Sequence, residues 1–165
     1  MQLKRIARHL LATPFAVRRA FPPAALAAIE GAIGQAETTH SGEIRFAVEA
    51  ALDAGALFAS LSARERALQV FAELGVWDTE QNNGVLIYLL LADHDVEIVA
   101  DRGIAARVGA QAWEEICHAM EAAFAQDGYE EGVIGGVQAV ASHLARHFPP
   151  GGTARNELPD KPVVL

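Results

Sequence analysis

Six side chains that carry metal-ligating oxygen atoms are spaced so that they would meet at one edge of a predicted sheet. Glu43 opens a first strand, Asn82 and Asn83 precede a second strand parallel to it, and Asp101 ends a third, antiparallel strand. The loop of residues 76–81, which holds Asp78 and Glu80, lies over the same rim. Carboxylate and amide oxygens are hard ligands that suit calcium or magnesium. The spacing therefore predicts a divalent-cation site at this rim.

The same region has a plain structural interpretation. An Asn-Gly pair suits a turn, Asp78 could cap a turn, and acidic loops are usually only solvated. Arg102 and Gly103 open a helix directly after the third strand, where free backbone N–H groups and a guanidinium would bind a phosphate or carboxylate. In the alternative, Asp101 caps this helix and Arg102 pairs with a nearby acid. His40, before the first strand, is a candidate acid or base, although a histidine in a loop usually has neither role.

The elements that must position these residues alternate between helix and strand. Residues 43–49 alternate apolar and polar, which predicts a strand with one buried face, and Glu43 and Arg45 lie on the other face. Residues 85–91 are uniformly apolar, as in a central strand covered on both faces. Residues 95–101 alternate after a short turn, which predicts an antiparallel hairpin. The order of elements predicts an α/β fold, a three-layer α/β/α sandwich with a mixed, mostly parallel sheet including one β-hairpin.

Composition divides the 165 residues into an arm, one domain and a tail. Residues 1–22 form a basic amphipathic N-terminal arm with five Lys and Arg residues and no acid. Such an arm can dock on its own domain, on anionic lipid or on an acidic partner. Residues 23–148 form the domain, in which Ser62 and Glu65 fit the capping box of a helix. Residues 149–165 are predicted to be a flexible C-terminal tail with too little apolar surface to fold alone.

Charge and hydropathy argue against several classes of protein. The net charge of −8 disfavours nucleic-acid binding, which needs a basic face. The single cysteine excludes an internal disulfide and a multi-cysteine zinc site. The longest run without Asp, Glu, Lys, Arg or His, residues 81–92, is shorter than the roughly 20 residues that cross a bilayer. The basic start lacks the apolar block of a signal peptide. We therefore expect a cytoplasmic protein. Residues 1–12 could also make a weak peripheral contact with the inner membrane.

Three segments carry a recognisable pattern. They read His-Ser-Gly-Glu-Ile-Arg at 40–45, Trp-Asp-Thr-Glu-Gln-Asn-Asn-Gly-Val-Leu-Ile at 77–87, and Val-Glu-Ile-Val-Ala-Asp-Arg-Gly-Ile at 96–104. Together they resemble the TPM domain, named for a thylakoid lumen protein, a photosystem II repair protein and a nematode receptor modulator. The resemblance spans about residues 25–148. It points to a bacterial branch of the family that is expected to lack a signal peptide and a membrane helix.

The resemblance implies a compact α/β/α sandwich with a mixed sheet. It links the domain with divalent-metal binding, calcium more than magnesium, and with acid phosphatase activity. The acidic rim of the family corresponds to Asp78, Asn82, Asn83 and Asp101 of this sequence, and the predicted topology adds Glu43.

Three functions follow as alternatives. The first is a metal-binding TPM domain that serves in the maintenance or assembly of membrane-associated proteins. The second is a metal-dependent acid phosphatase that uses the same rim and a metal-activated water. The third is a non-catalytic module that binds a protein partner or a membrane surface.

Overall fold

The computed structural model describes residues 2–151 and 156–165, and its centre is a four-stranded sheet. The strands are β1 (Glu43–Glu49), β2 (Gly84–Leu90), β3 (Asp95–Ala100) and β4 (Val163–Val164). Their order is β3-β2-β1-β4, with β1 parallel to both β2 and β4 and β3 antiparallel to β2. The predicted mixed, mostly parallel sheet with one hairpin is confirmed.

Eight helices surround the sheet in the described part of the chain. They are α1 (Gln2–Leu11), α2 (Pro14–Ala20), α3 (Pro23–Glu37), α4 (Ala54–Phe58), α5 (Ala63–Glu73), α6 (Arg102–Ala105), α7 (Ala110–Phe124) and α8 (Tyr129–His147). The predicted capping box at α5 is present, because the Ser62 side chain accepts from the Glu65 N–H and the Glu65 carboxylate accepts from the Ser62 N–H. Across residues 2–151 and 156–165, no helix is long and apolar enough to cross a membrane.

The sheet separates two hydrophobic cores, as a three-layer sandwich requires. On one face, Phe46 and Ile87 pack with side chains of α3, α7 and α8. On the other face, Leu86 and Tyr88 pack with side chains of α4 and α5. Side chains of a strand alternate between faces, so β2, apolar throughout, contributes to both cores and is fully buried. The rim of the sheet, where β1 and β2 begin and β3 ends, is therefore held by a rigid scaffold.

The C-terminal segment, residues 156–165, lies against β1, whereas the sequence predicts a flexible tail there. Val163 and Val164 pair in parallel with Ala47 and Val48, and the Leu165 N–H donates to Val48 O at 3.0 Å. Composition misses this docking because an edge strand offers unpaired main-chain groups to any extended segment, whatever its side chains.

The basic arm docks on an acid of its own domain. Arg5 Nε donates to Asp93 Oδ2 at 2.8 Å, and Arg8 Nη2 lies 3.1 Å from Asp93 Oδ1. His9 Nε2 lies 3.1 Å from the same oxygen, while its Nδ1 accepts the Leu52 N–H. This arrangement fixes one face of α1 and leaves the opposite face, with Leu3, Leu10 and Leu11, exposed.

Candidate functional site

Asn83 and Asp101 lie at the centre of the predicted rim. Asp101 follows β3, and its N–H donates to Gly84 O at 2.9 Å. Its side chain caps α6, with Oδ1 accepting the Arg102 N–H at 2.7 Å. Asn83 precedes β2, and its Nδ2 donates to Ser41 O at 3.0 Å. These bonds fix the Asn83 side chain at the start of β2 and the Asp101 side chain at the end of β3.

Each of these two side chains retains one unpartnered oxygen. Within the described residues, Asn83 Oδ1 and Asp101 Oδ2 are buried without a hydrogen-bond partner. Asn83 is 0% exposed and Asp101 9% exposed. A buried acceptor without a partner costs about 1–3 kcal/mol, so such positions are usually occupied by a water or an ion. An amide oxygen and a carboxylate oxygen are hard ligands of the kind that calcium takes.

The other rim residues are bonded to one another. Asn82 Oδ1 accepts the Nε–H of Arg102 at 3.0 Å, and Asn82 O accepts the Gly103 N–H at 2.9 Å. A Cβ atom on Gly103 would lie 2.5 Å from Asn82 O, so only glycine fits this close approach. The structure thus shows the alternative in which Asp101 caps the helix, but Arg102 pairs with an amide rather than with an acid. The predicted anion-binding groups, Arg102 and the Gly103 N–H, both bind the rim loop.

Glu43 has partners outside the pair of unpartnered oxygens, and Asp78 is exposed. The Glu43 carboxylate is buried under the C-terminal segment and accepts the N–H groups of Glu157 and Leu158, each at 3.1 Å. Burial raises the pKa of Glu43, and these two N–H donors oppose the rise. Asp78 is exposed in its loop, and the Glu80 N–H donates to the Glu157 carboxylate. Among residues 2–151 and 156–165, no group of three or more His, Cys, Asp and Glu side chains could hold a metal ion.

A second polar site lies beside the rim, in a cavity of about 220 Å³ between α3, the start of β1 and the C-terminal segment. Glu37, His40, Glu43 and Asp160 are among its lining residues. Glu37 Oε1 accepts the Ile44 N–H at 2.9 Å. Burial raises the pKa of Glu37 to about 8, and the Glu43 and Asp160 carboxylates and a hydrogen bond to Asp160 add to the rise. Burial lowers the pKa of His40.

Glu37 and Asp160 are not predicted as site residues from the sequence, and His40 is predicted only as a candidate acid or base. One feature of the sequence does point to this region. Glu43 and Arg45 are two charged residues in a strand of a sheet that is predicted to be covered by helices. Arg45 is buried and donates to the carbonyls of Pro159 and Lys161. A buried charge needs partners, so this pair indicated that another segment covers the strand.

Comparisons with known proteins agree with this architecture. A sequence model of the TPM domain matches residues 18–143. The NMR structure of the BA42 protein from the psychrophilic bacterium Bizionia argentinensis is 30% identical with a TM-score of 0.75, and the match covers 86% of this chain and 92% of that one. The N-terminal domain of a protein from P. gingivalis is 21% identical with a TM-score of 0.57, covering 74% and 76% of the two chains, and is similar in fold. No curated protein matches the chain. The predicted resemblance is confirmed, and the chain belongs to the TPM domain family.

Proposed function

We propose that this TPM domain binds a divalent cation, calcium in preference to magnesium, between Asn83 and Asp101. The observation that carries the proposal is the pair of buried, unpartnered oxygens, Asn83 Oδ1 and Asp101 Oδ2. Calcium takes 6–8 oxygens in irregular geometry, including amides, main-chain carbonyls and waters, whereas magnesium demands a regular octahedron. With one carboxylate and otherwise neutral ligands, we expect a dissociation constant on the order of 0.1–1 mM.

Calcium titration of the full chain, followed by calorimetry and by amide chemical shifts, tests this site. Asp101→Asn keeps the oxygen that caps α6 and removes the charge, so it should weaken calcium binding by about tenfold or more. Asp127→Asn is the matched control, because Asp127 is exposed and lies outside the rim. Asp78→Asn shows whether the loop closes onto the ion. An absence of binding at millimolar calcium, or equal binding by the Asp101 and Asp127 variants, would refute the site.

A metal-dependent acid phosphatase using the same rim is the second candidate. It is favoured by the exposed Arg102, whose guanidinium sits at the rim, and by the name of the matching family model, which includes the word phosphatase. The cation would supply an activated water, and Arg102 would bind the phosphoryl oxygens. Hydrolysis of a generic aryl phosphate should then vanish with chelator and in Asp101→Asn. Activity that survives both treatments would belong to a contaminant.

The proposed cellular role is the maintenance or assembly of membrane-associated proteins, and family membership and the exposed face of α1 support it. Leu3, Leu10 and Leu11 are exposed beside a basic stretch, which suits an anionic membrane surface. In flotation with anionic vesicles, Leu10→Asp should reduce binding. Phe58→Asp is the control, since Phe58 is equally apolar and exposed but lies on α4. Equal flotation of the two variants would exclude α1 as the membrane contact.

A further inference from the structure

The cavity beside the rim is completed by the C-terminal segment. The Asp160 side chain lies against α3 at Gly34. A Cβ atom added at Gly34 would be only 2.9 Å from Asp160 Oδ2. Asn156 Nδ2 donates to Asp160 Oδ1 at 2.7 Å, which holds the carboxylate in place. The segment itself is fixed by its main chain, through the carboxylate of Glu43 and the guanidinium of Arg45. The fold therefore brings Asp160 to Glu37, a residue far away in sequence.

The groups that line the cavity are mostly hydrogen-bond acceptors. His40 Nδ1 lies 3.0 Å from Gly42 O, and because a carbonyl only accepts, this nitrogen carries the proton. The other ring nitrogen, Nε2, is then an acceptor, and it has no partner among the described residues. His40 is 2% exposed. The carboxyl groups of Glu37 and Asp160 stand in the same cavity, and none of the described lining residues is a Lys or an Arg.

We propose that this cavity binds a primary ammonium group, held by the carboxylates of Glu37 and Asp160 and by Nε2 of His40. An ammonium group carries one positive charge and three N–H donors, which match two carboxylates and one imidazole acceptor. A cavity of about 220 Å³ suits a compact amine or the end of a lysine side chain.

The raised pKa of Glu37 leaves a proton in this cavity near neutral pH. Burial is the main cause of the rise to about 8, and the nearby carboxylates of Glu43 and Asp160 add to it. Arg45 lies near both Glu37 and Asp160, and its guanidinium donates to main-chain carbonyls of the C-terminal segment. An ammonium group would replace the proton and meet the remaining acceptors at the same time.

Binding of methylammonium to the full chain tests the proposal, with amide chemical shifts of Ile44 and Leu158 as the readout. Tetramethylammonium is the matched probe, because it carries the same charge and no N–H donor. A blocked lysine, added as a third probe, distinguishes a protein side chain from a free amine as the source. Glu37→Gln and Asp160→Asn should each weaken methylammonium binding by about tenfold. Glu30→Gln is the control, since Glu30 is exposed on the same helix.

Selective binding of methylammonium, lost in the two cavity variants and kept in Glu30→Gln, would support the site. Glu37→Gln retains an oxygen to accept the Ile44 N–H, so the fold should persist, and its amide spectrum checks this. No response at tens of millimolar methylammonium, equal responses to both methylated probes, or binding that survives both cavity variants would each overturn the proposal.

Discussion

Replacing Gly34 by Ala should separate the stability of α3 from the docking of the C-terminal segment. A Cβ atom at Gly34 would lie 2.9 Å from Asp160 Oδ2, whereas a Cβ atom at Gly31 would meet no described heavy atom within 4 Å. Both glycines lie inside α3. Each substitution should therefore stabilise the helix by about 0.5–1 kcal/mol, because glycine loses more backbone entropy on folding than alanine.

Only the Gly34 variant should weaken the docked segment. Real Cβ atoms do not approach an oxygen as closely as 2.9 Å, so the Asp160 carboxylate must move. Its hydrogen bonds with Asn156 and with Glu37 are then lost or lengthened. Each bond contributes about 0.5–1.5 kcal/mol. A docking free energy reduced by about 1–2 kcal/mol corresponds to an opening of the segment that is roughly 5–30 times more frequent.

Hydrogen exchange in the native state measures this opening directly. The Leu165 amide donates to Val48 O and the Leu158 amide to Glu43, so both report the docked segment. Urea unfolding of the same two variants reports the stability of the domain. We expect a raised urea midpoint in Gly31→Ala alone, because in Gly34→Ala the weaker docking offsets the gain in the helix. We expect faster exchange at Leu165 and Leu158 in Gly34→Ala alone. Equal exchange in both variants would refute the inference that Asp160, seated over Gly34, holds the segment.

Three further predictions concern other parts of the molecule. Because burial raises the pKa of Glu37 from its ordinary 4.5 to about 8 in the folded state, its protonated carboxyl makes its full contribution to stability below pH 4.5, and this contribution is lost as the pH rises towards 8, by up to about 1.4 kcal/mol per pH unit. Urea unfolding of Glu37→Gln should lack this fall, and identical pH profiles would contradict it. Asp93→Asn should lower the free energy of unfolding by about 1–3 kcal/mol and speed exchange in α1, because three basic side chains share this carboxylate; a loss no larger than that of an exposed Asp→Asn change would count against it. Gly103→Ala should push the Asn82 carbonyl away, cost about 1–3 kcal/mol in urea unfolding and weaken calcium binding, and unchanged calcium affinity would count against the rim site.

The strands could be predicted from the sequence because the spacing of apolar residues reports how many faces of a strand are buried. The apolar run at 85–91 corresponds to β2, and the alternation at 95–101 corresponds to β3. The sequence pattern does not predict a separate helix over Pro14–Ala20, because a proline ends a helix that precedes it. Proline also suits the first turn of a new helix, because the N–H that it lacks would have no partner there.

The candidate sites could be predicted only in part, because their side chains depend on a segment that lies far along the chain. Alternation in β1 predicts that Glu43 and Arg45 face solvent, yet they are 3% and 6% exposed. Their partners are 114 residues or more away, and periodicity within one strand contains no information about them. The chemistry of the pair is nevertheless complementary to a main chain, since a carboxylate accepts N–H groups and a guanidinium donates to carbonyls. Charges of both signs on one face of a strand therefore indicate a docked peptide segment as well as they indicate solvent, and in this protein residues 156–165 are that segment.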